Sequence, residues 1–282
     1  MTDAKTSALT LLALVAFASN SLLTRLALGT HQIDAAGFTA IRLVAGAVML
    51  VALVVGQTRS WSAMKGASAA GPLALFAYAA PFSFAYLRIG AAVGALVLFG
   101  VVQLTMVGYG IVRGERSSAW SWVGLFVAMS GLLVLTLPSA TRPDPLGVML
   151  MAVAGVAWAV YSLVGRASGD PVAANAWSFL LASVPAFVLA ALVHPAAEPT
   201  WRGVVLAVIS GGVASALGYA VWYRALPRLS VTQAAVAQLS VPVIAAVGAA
   251  LLLGERLSGR LLFAGLLVLG GVALVFSARR VA

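Results

Sequence analysis

Cysteine does not occur in this chain. A disulfide framework, a thiolate metal site and a cysteine nucleophile are therefore excluded. Charge is scarce as well: 9% of the 282 residues are charged, where a soluble domain carries about a quarter. With 62% of its residues hydrophobic, the chain reads as an integral membrane protein. Its seven acidic residues (Asp3, Asp34, Glu115, Asp144, Asp170, Glu198 and Glu255) all fall at or beyond the ends of apolar runs. Both histidines, His31 and His194, fall between runs. No carboxylate or imidazole is thus expected at mid-membrane depth to bind a cation or relay a proton.

Catalytic signatures are missing too. There is no Gly-x-Ser-x-Gly, His-Glu-x-x-His or Walker loop. A serine hydrolase inside the membrane would need a base, and neither histidine lies at the right depth. The reading is of a non-enzyme that calls for no cofactor and no metal. The 17 lysines and arginines give a formal net charge of +10, but they stand singly between apolar runs. Basic residues placed that way set membrane topology and do not form a nucleic-acid surface.

What the chain has is apolar length. A helix crossing the hydrocarbon core needs about 20 mostly apolar residues. Ten such runs are present: Ser7–Ala27, Ala35–Gly56, Ala67–Arg88, Ala91–Arg113, Ala119–Leu137, Leu146–Arg166, Ala173–Val193, Gly203–Arg224, Ser230–Leu253 and Gly259–Ser277. The breaks, such as "LPSATRPDP" and "HPAAEPTWRG", are short and rich in turn residues. With the N terminus inside, the cytoplasmic segments hold Lys5, Arg59, Lys65, Arg113, Arg116, Arg166, Arg224, Arg228, Arg279 and Arg280. The outer ones hold Arg25, Arg88, Arg142, Arg202, Arg256 and Arg260. That excess places both termini in the cytoplasm.

The text also repeats. Shifted by 140 or 141 residues, Phe17, Ser21, Leu22 and Arg25 meet Trp158, Ser162, Leu163 and Arg166. Tyr78 meets Tyr219, Gly114-Glu115-Arg116 meets Gly254-Glu255-Arg256, and "GLFVAMSGLLVL" meets "GLLVLGGVALVF". The expectation is an all-α membrane protein: ten transmembrane helices as two inverted five-helix repeats, 1–140 and 141–282, around a central cavity. Five crossings per unit invert the second unit, an arrangement typical of secondary transporters that rock one half against the other. Each Gly-Glu-Arg triplet then reads as a helix stop, one per membrane face. The first run, with Lys5 ahead of it, has the look of a signal peptide. Its counterpart in the second unit argues that it is a true span.

Polar and aromatic side chains deep in the spans are the candidate site, because lipid leaves them unsatisfied. Phe17, Asn20, Ser21 and Thr24 share one helical face, and Trp158, Tyr161, Ser162 and Gly165 repeat the spacing. Tyr78, Pro81 and Phe82 in the third span are answered by Tyr219, Trp222 and Tyr223 in the eighth. Gln103 and Gln238 lie near the midpoints of the fourth and ninth spans, where each could contact substrate or bond a neighbouring helix. Trp61, Trp120, Trp122 and Trp201 sit at span ends as interfacial anchors. Pro81, Pro185 and Pro242 read as kinks or hinges. Arg42 is the one charge well inside a span, and it is expected to snorkel to the outer interface. A site without fixed charge suits a net-neutral substrate.

Span count, duplicated halves, "FTAIRLVAGAVML" at Phe38–Leu50 and the Gly-Glu turns after the fourth and ninth spans resemble the drug/metabolite transporter superfamily, EamA type. Within it the chain is most similar to ten-helix bacterial exporters of amino acids and metabolites, the aromatic amino-acid exporters included. That resemblance implies a cavity enclosed mainly by helices 1–4 and 6–9, with helices 5 and 10 outside, and export across the inner membrane. The expected partners are a small-molecule substrate, an amino acid or similar metabolite, and the lipid bilayer, with no nucleic acid. Asn20, Gln103, Tyr161 and Gln238 are expected to hydrogen-bond the polar end of the substrate. Phe17, Tyr78, Trp158, Tyr219 and Trp222 are expected to wall the cavity. A passive facilitator or an exporter of lipophilic drugs stands as the alternative.

Overall fold

The computed structural model describes residues 3–58, 68–89, 91–136, 144–193, 198–253 and 258–277. The second Gly-Glu-Arg turn with Glu255, His194, Trp61, Gly90, the span ends Ala67 and Leu137, and Arg59, Lys65, Arg142, Arg279 and Arg280 lie outside the described residues.

Helices account for nearly all of what is described. We number them α1 (Ala4–Leu28), α2 (Ala35–Thr58), α3 (Ala70–Tyr86), α4 (Ala91–Val112), α5 (Ala119–Thr136), α6 (Pro145–Arg166), α7 (Pro171–Leu192), α8 (Trp201–Arg228), α9 (Val231–Ala237 continuing as Ser240–Leu253) and α10 (Gly259–Ser277). Nine of them are long and apolar enough to cross a membrane. The remaining one, α3, has 17 residues, about 25 Å at 1.5 Å per residue.

The scarce acids are spent at helix starts. Asp3 accepts from Thr6 N at the head of α1, and Asp34 from Ala36 N and Gly37 N at the head of α2. Asp144 and Asp170 do the same for α6 and α7, each with a proline at the first helical position. Such caps satisfy donors that the helix cannot, and the negative charge complements the dipole. At the end of α4, Gly114 takes a left-handed φ of 80°. This lets Glu115 N reach back to Gly110 O at 2.8 Å, the expected helix stop.

Two spans depart from plain α winding. Residues Ser210–Leu217 of α8 form a π-helical segment. In α9 the winding breaks at Gln238–Leu239. Pro242 explains the break: it lacks the N–H that would bond Gln238 O, and its ring crowds that carbonyl. By contrast Pro81 and Pro185 sit inside α3 and α7 without ending either helix.

Helices pair across the chain's midpoint more than within either half. The main pairs are α1 with α8, α2 with α7, α3 with α6 and α5 with α10, while α4 lies on α6 and α1 on α9. Adding or subtracting five from each number returns the same set of pairs. The α5–α10 pair is close because small residues face each other: a Cβ on Gly124 would stand 2.6 Å from the Gly271 carbonyl oxygen.

Candidate functional site

The side chains that carry chemistry converge between α1, α3, α4, α6, α8 and α9. A small chamber of about 30 Å³ is lined by Phe17, Asn20, Ser21, Tyr78, Phe82, Leu98, Phe99, Trp158, Tyr219, Gln238 and Val241. It adjoins a vestibule of about 450 Å³, with which it shares Ser21, Phe82, Leu98, Phe99 and Val241. Arg25 and Tyr86 line the vestibule near the ends of α1 and α3, and Arg88, just beyond α3, pairs with Asp144 at the head of α6. Its volume lies in the range of small-molecule sites, about 300–1,000 Å³. The chamber alone has room for little more than a water.

Six of the nine expected site residues line the chamber: Phe17, Asn20, Tyr78, Trp158, Tyr219 and Gln238. Helical spacing explains it, since Phe17 and Asn20 on α1 face the matching stripe of α6 and α8. The Trp158 ring lies 5.2 Å from Phe17, 5.0 Å from Tyr78 and 4.9 Å from Tyr219, centroid to centroid. Its indole N–H donates to Gln238 Oε1, while Gln238 Nε2 donates to Ala234 O in the same helix.

The other three lie beneath or beside this wall. Tyr161 donates its hydroxyl to Asn175 Oδ1 at 2.6 Å, and Trp222 donates to Ser162 Oγ at 3.3 Å. Both are fully buried, with Tyr223 filling the same layer and donating to the Tyr161 carbonyl at 2.9 Å. Gln103 donates to Ala235 O at 2.6 Å and so ties α4 to α9, the interhelical role weighed for it.

Arg42 corrects the sequence reading. It does not snorkel; it is 1% exposed and turned inward. Its Nε–H donates to Ser215 Oγ at 3.0 Å and its Nη2 to the Tyr219 hydroxyl at 2.7 Å, while its guanidinium lies 5.6 Å from the Tyr78 ring centre. Depth along the helix did place it near the outer end of α2; its face of the helix decided the outcome. A fixed charge therefore stands behind Tyr78 and Tyr219, two residues of the chamber wall. Asn20 joins this network, since its Oδ1 accepts from Ser210 at 2.6 Å and lies 3.5 Å from Ser215. The π winding of α8 presents Ser210 and Ser215 together, and Gly211 allows the approach: a Cβ there would collide with the Arg42 carbonyl oxygen.

Two further differences concern the walls. The end of α5, through Leu135 and Thr136, lines the vestibule that the resemblance would leave to other helices. Leu98, Phe99 and Val241 were not singled out, because an apolar residue facing a cavity reads like one facing lipid. The Gly-Glu turn also does more than end α4. Glu115 accepts from Val231 N at 2.9 Å and Thr232 N at 3.1 Å, while Ser230 Oγ takes Gln233 N, so the free donors heading α9 are satisfied. Trp120 and Trp201 are exposed at span ends as expected of anchors.

Helices of membrane-crossing length around a polar-aromatic pocket are the architecture of a multi-pass membrane protein. More closely, the chain belongs to the EamA-like transporter family, whose model matches residues 145–277. A protein of Pseudomonas aeruginosa, itself uncharacterized, is 48% identical over 279 residues, covering 99% of this chain and 97% of that one. An Escherichia coli protein named as a probable amino-acid metabolite efflux pump is 28% identical over 212 residues, 68% of this chain and 71% of its own length. A crystal structure with 21% sequence identity shares the fold at a TM-score of 0.83, covering 98% of this chain and 99% of that one. The protein is a transporter and not an enzyme.

Proposed function

We propose that this transporter exports amino acids and related small zwitterionic metabolites across the inner membrane by alternating access. The observation that carries the reading is the asymmetry of the pocket. A vestibule reaches the chamber from the Arg25 face, while Tyr161, Trp222 and Tyr223 fill the opposite side. A pore needs no such one-sided closure. With both termini cytoplasmic, this conformation faces outward.

Two five-helix repeats, 1–140 and 141–282, act as the moving parts in this reading. Support comes from helix pairs that exchange under a shift of five, and from a family match that spans the second half. Phe17, Tyr78, Trp158, Tyr219 and Trp222 wall the substrate's side chain, and Asn20, Gln103, Tyr161 and Gln238 serve its polar end. The name of the Escherichia coli relative supports amino acids as the substrate class.

Counterflow in proteoliposomes tests this. Vesicles are loaded with one unlabelled amino acid at a time, from a panel spanning aromatic, aliphatic, hydroxyl and thioether side chains, and uptake of the labelled form is followed. The expected result is saturable, trans-accelerated entry that falls at least about tenfold in Tyr78→Ala, as loss of a binding contact worth over about 1.4 kcal/mol would give. Flux without trans-acceleration would instead mark a passive facilitator. No flux for any member, from folded protein, overturns the amino-acid assignment.

A further inference from the structure

Arginine cannot shed its proton, so a buried guanidinium keeps its charge and needs a partner. Arg42 lacks one of the right kind. Its hydrogen bonds engage Nε and Nη2 with the neutral oxygens of Ser215 and Tyr219. Its Nη1 is buried with no hydrogen-bond partner. The ion pairs found among the described residues join Arg88 to Asp144 and Arg228 to Asp3, and neither involves Arg42. The acids that cap helices sit at helix starts.

The location of this unmatched charge is informative. Tyr78 and Tyr219 both line the chamber, and both also touch Arg42. The guanidinium therefore stands directly behind the chamber wall. Beside it, α8 gives up α winding for a π segment, a local departure frequent at functional sites. A purely structural tie between α2 and α8 could be made by a neutral side chain at less desolvation cost.

We propose that Arg42 is the counter-charge for a carboxylate on the transported molecule, held at the Tyr78–Tyr219 wall of the chamber. This deepens the amino-acid reading and rests on it for the rest of the ligand. An anion there completes the guanidinium's hydrogen bonding with charge-assisted bonds, the strong kind. It also makes Arg42 a specificity determinant, because an otherwise identical ligand without the carboxylate leaves the cation unmatched.

The test is binding calorimetry on the detergent-solubilised full chain with four matched probes: phenylalanine, phenylalaninamide, phenylethylamine and 3-phenylpropionate. The wild type is expected to prefer the two carboxylates by about ten- to a hundredfold. Arg42→Gln is expected to lose that preference, with carboxylate and non-carboxylate probes bound alike. Arg42→Lys, which retains the charge and stands in should the glutamine variant not fold, is expected to keep part of it. A glutamine variant with the full wild-type preference overturns the assignment, as does a lysine variant with none of it, and so does wild type that binds phenylethylamine as tightly as the carboxylates. Binding of phenylpropionate but not phenylalanine keeps Arg42 as the anion site and overturns the amino-acid reading instead. Binding of none of the four overturns the assignment.

Discussion

Two stripes in this molecule occupy equivalent positions and have opposite fates. Phe17 and Ser21 on α1, with Tyr78 and Phe82 on α3, border open space. The residues 141 positions further along, Trp158 and Ser162 on α6 and Tyr219 and Tyr223 on α8, border much less of it. Ser21 is partly exposed in the vestibule, whereas Ser162 is fully buried and accepts from the Trp222 indole. Side-chain size accounts for the difference. Where the first stripe carries Asn20, Pro81 and Phe82, the second carries Tyr161, Trp222 and Tyr223, which fill their side and bond to one another's surroundings. One face is thus held shut with bulk and polar bonds while the other is left open.

Trimming the bulk should break this contrast most. Trp222→Ala removes a fully buried ring, and we expect a loss of about 3–5 kcal/mol of stability, read as a lower unfolding midpoint in detergent. It should also let a thiol introduced as Ser162→Cys react with an impermeant reagent from the Arg166 face. Because the chain has no other cysteine, that signal has a single source. An unreactive thiol in a folded variant would mean that Trp222 is not the closing element.

Tyr223→Phe is a finer cut. It keeps the ring but deletes the hydroxyl that donates to the Tyr161 carbonyl, a bond worth about 0.5–1.5 kcal/mol. The expected outcome is a several-fold faster labelling of the same thiol with little change in unfolding midpoint. Equal rates would show that packing alone holds this face closed.

A third effect concerns Glu115, whose cap joins the end of α4 to the head of α9. Burial alone would raise its pKa, but the backbone donors of Thr232 and Val231 outweigh that and hold it below the ordinary value of 4.5. Being lower in the folded state, it contributes stability that is present above pH 4.5 and lost as pH falls through the depressed value. Glu115→Gln should therefore cost about 0.5–2 kcal/mol near neutrality and flatten the wild type's decline in unfolding midpoint below that pH. A decline of equal steepness in both proteins would assign the acid sensitivity elsewhere.

Much of this was readable from the sequence, for definite reasons. Hydropathy set the spans and put every acid at or beyond a span end; that Asp3, Asp34, Asp144 and Asp170 cap helix starts took the structure to show. The stripe from Phe17 to Thr24 was readable because polar and aromatic residues inside a span need a protein neighbour. What stayed hidden depends on the third dimension. Whether Arg42 points out or in is a rotation about α2, which neither composition nor depth records. The π winding of α8 carries no residue signature, and Leu98, Phe99 and Val241 look alike on either side of their helices. Glu115 was legible as a stop, but its second partner lies more than a hundred residues away.

The pairing of helices across the midpoint has a consequence for how the molecule is made. A ribosome delivers α1 to α5 before any of their principal partners, α6, α7, α8 and α10, has been synthesised. Domains ordinarily fold as units while the chain emerges, but here the main pairings of each half lie in the other. Until those helices arrive Arg42 lacks Ser215 and Tyr219, and Gly124 lacks the α10 backbone it packs on. The helix made after the other nine, α10, is also the one that closes against α5. Lesions along α10, far from the chamber, should therefore show first in the yield of assembled protein.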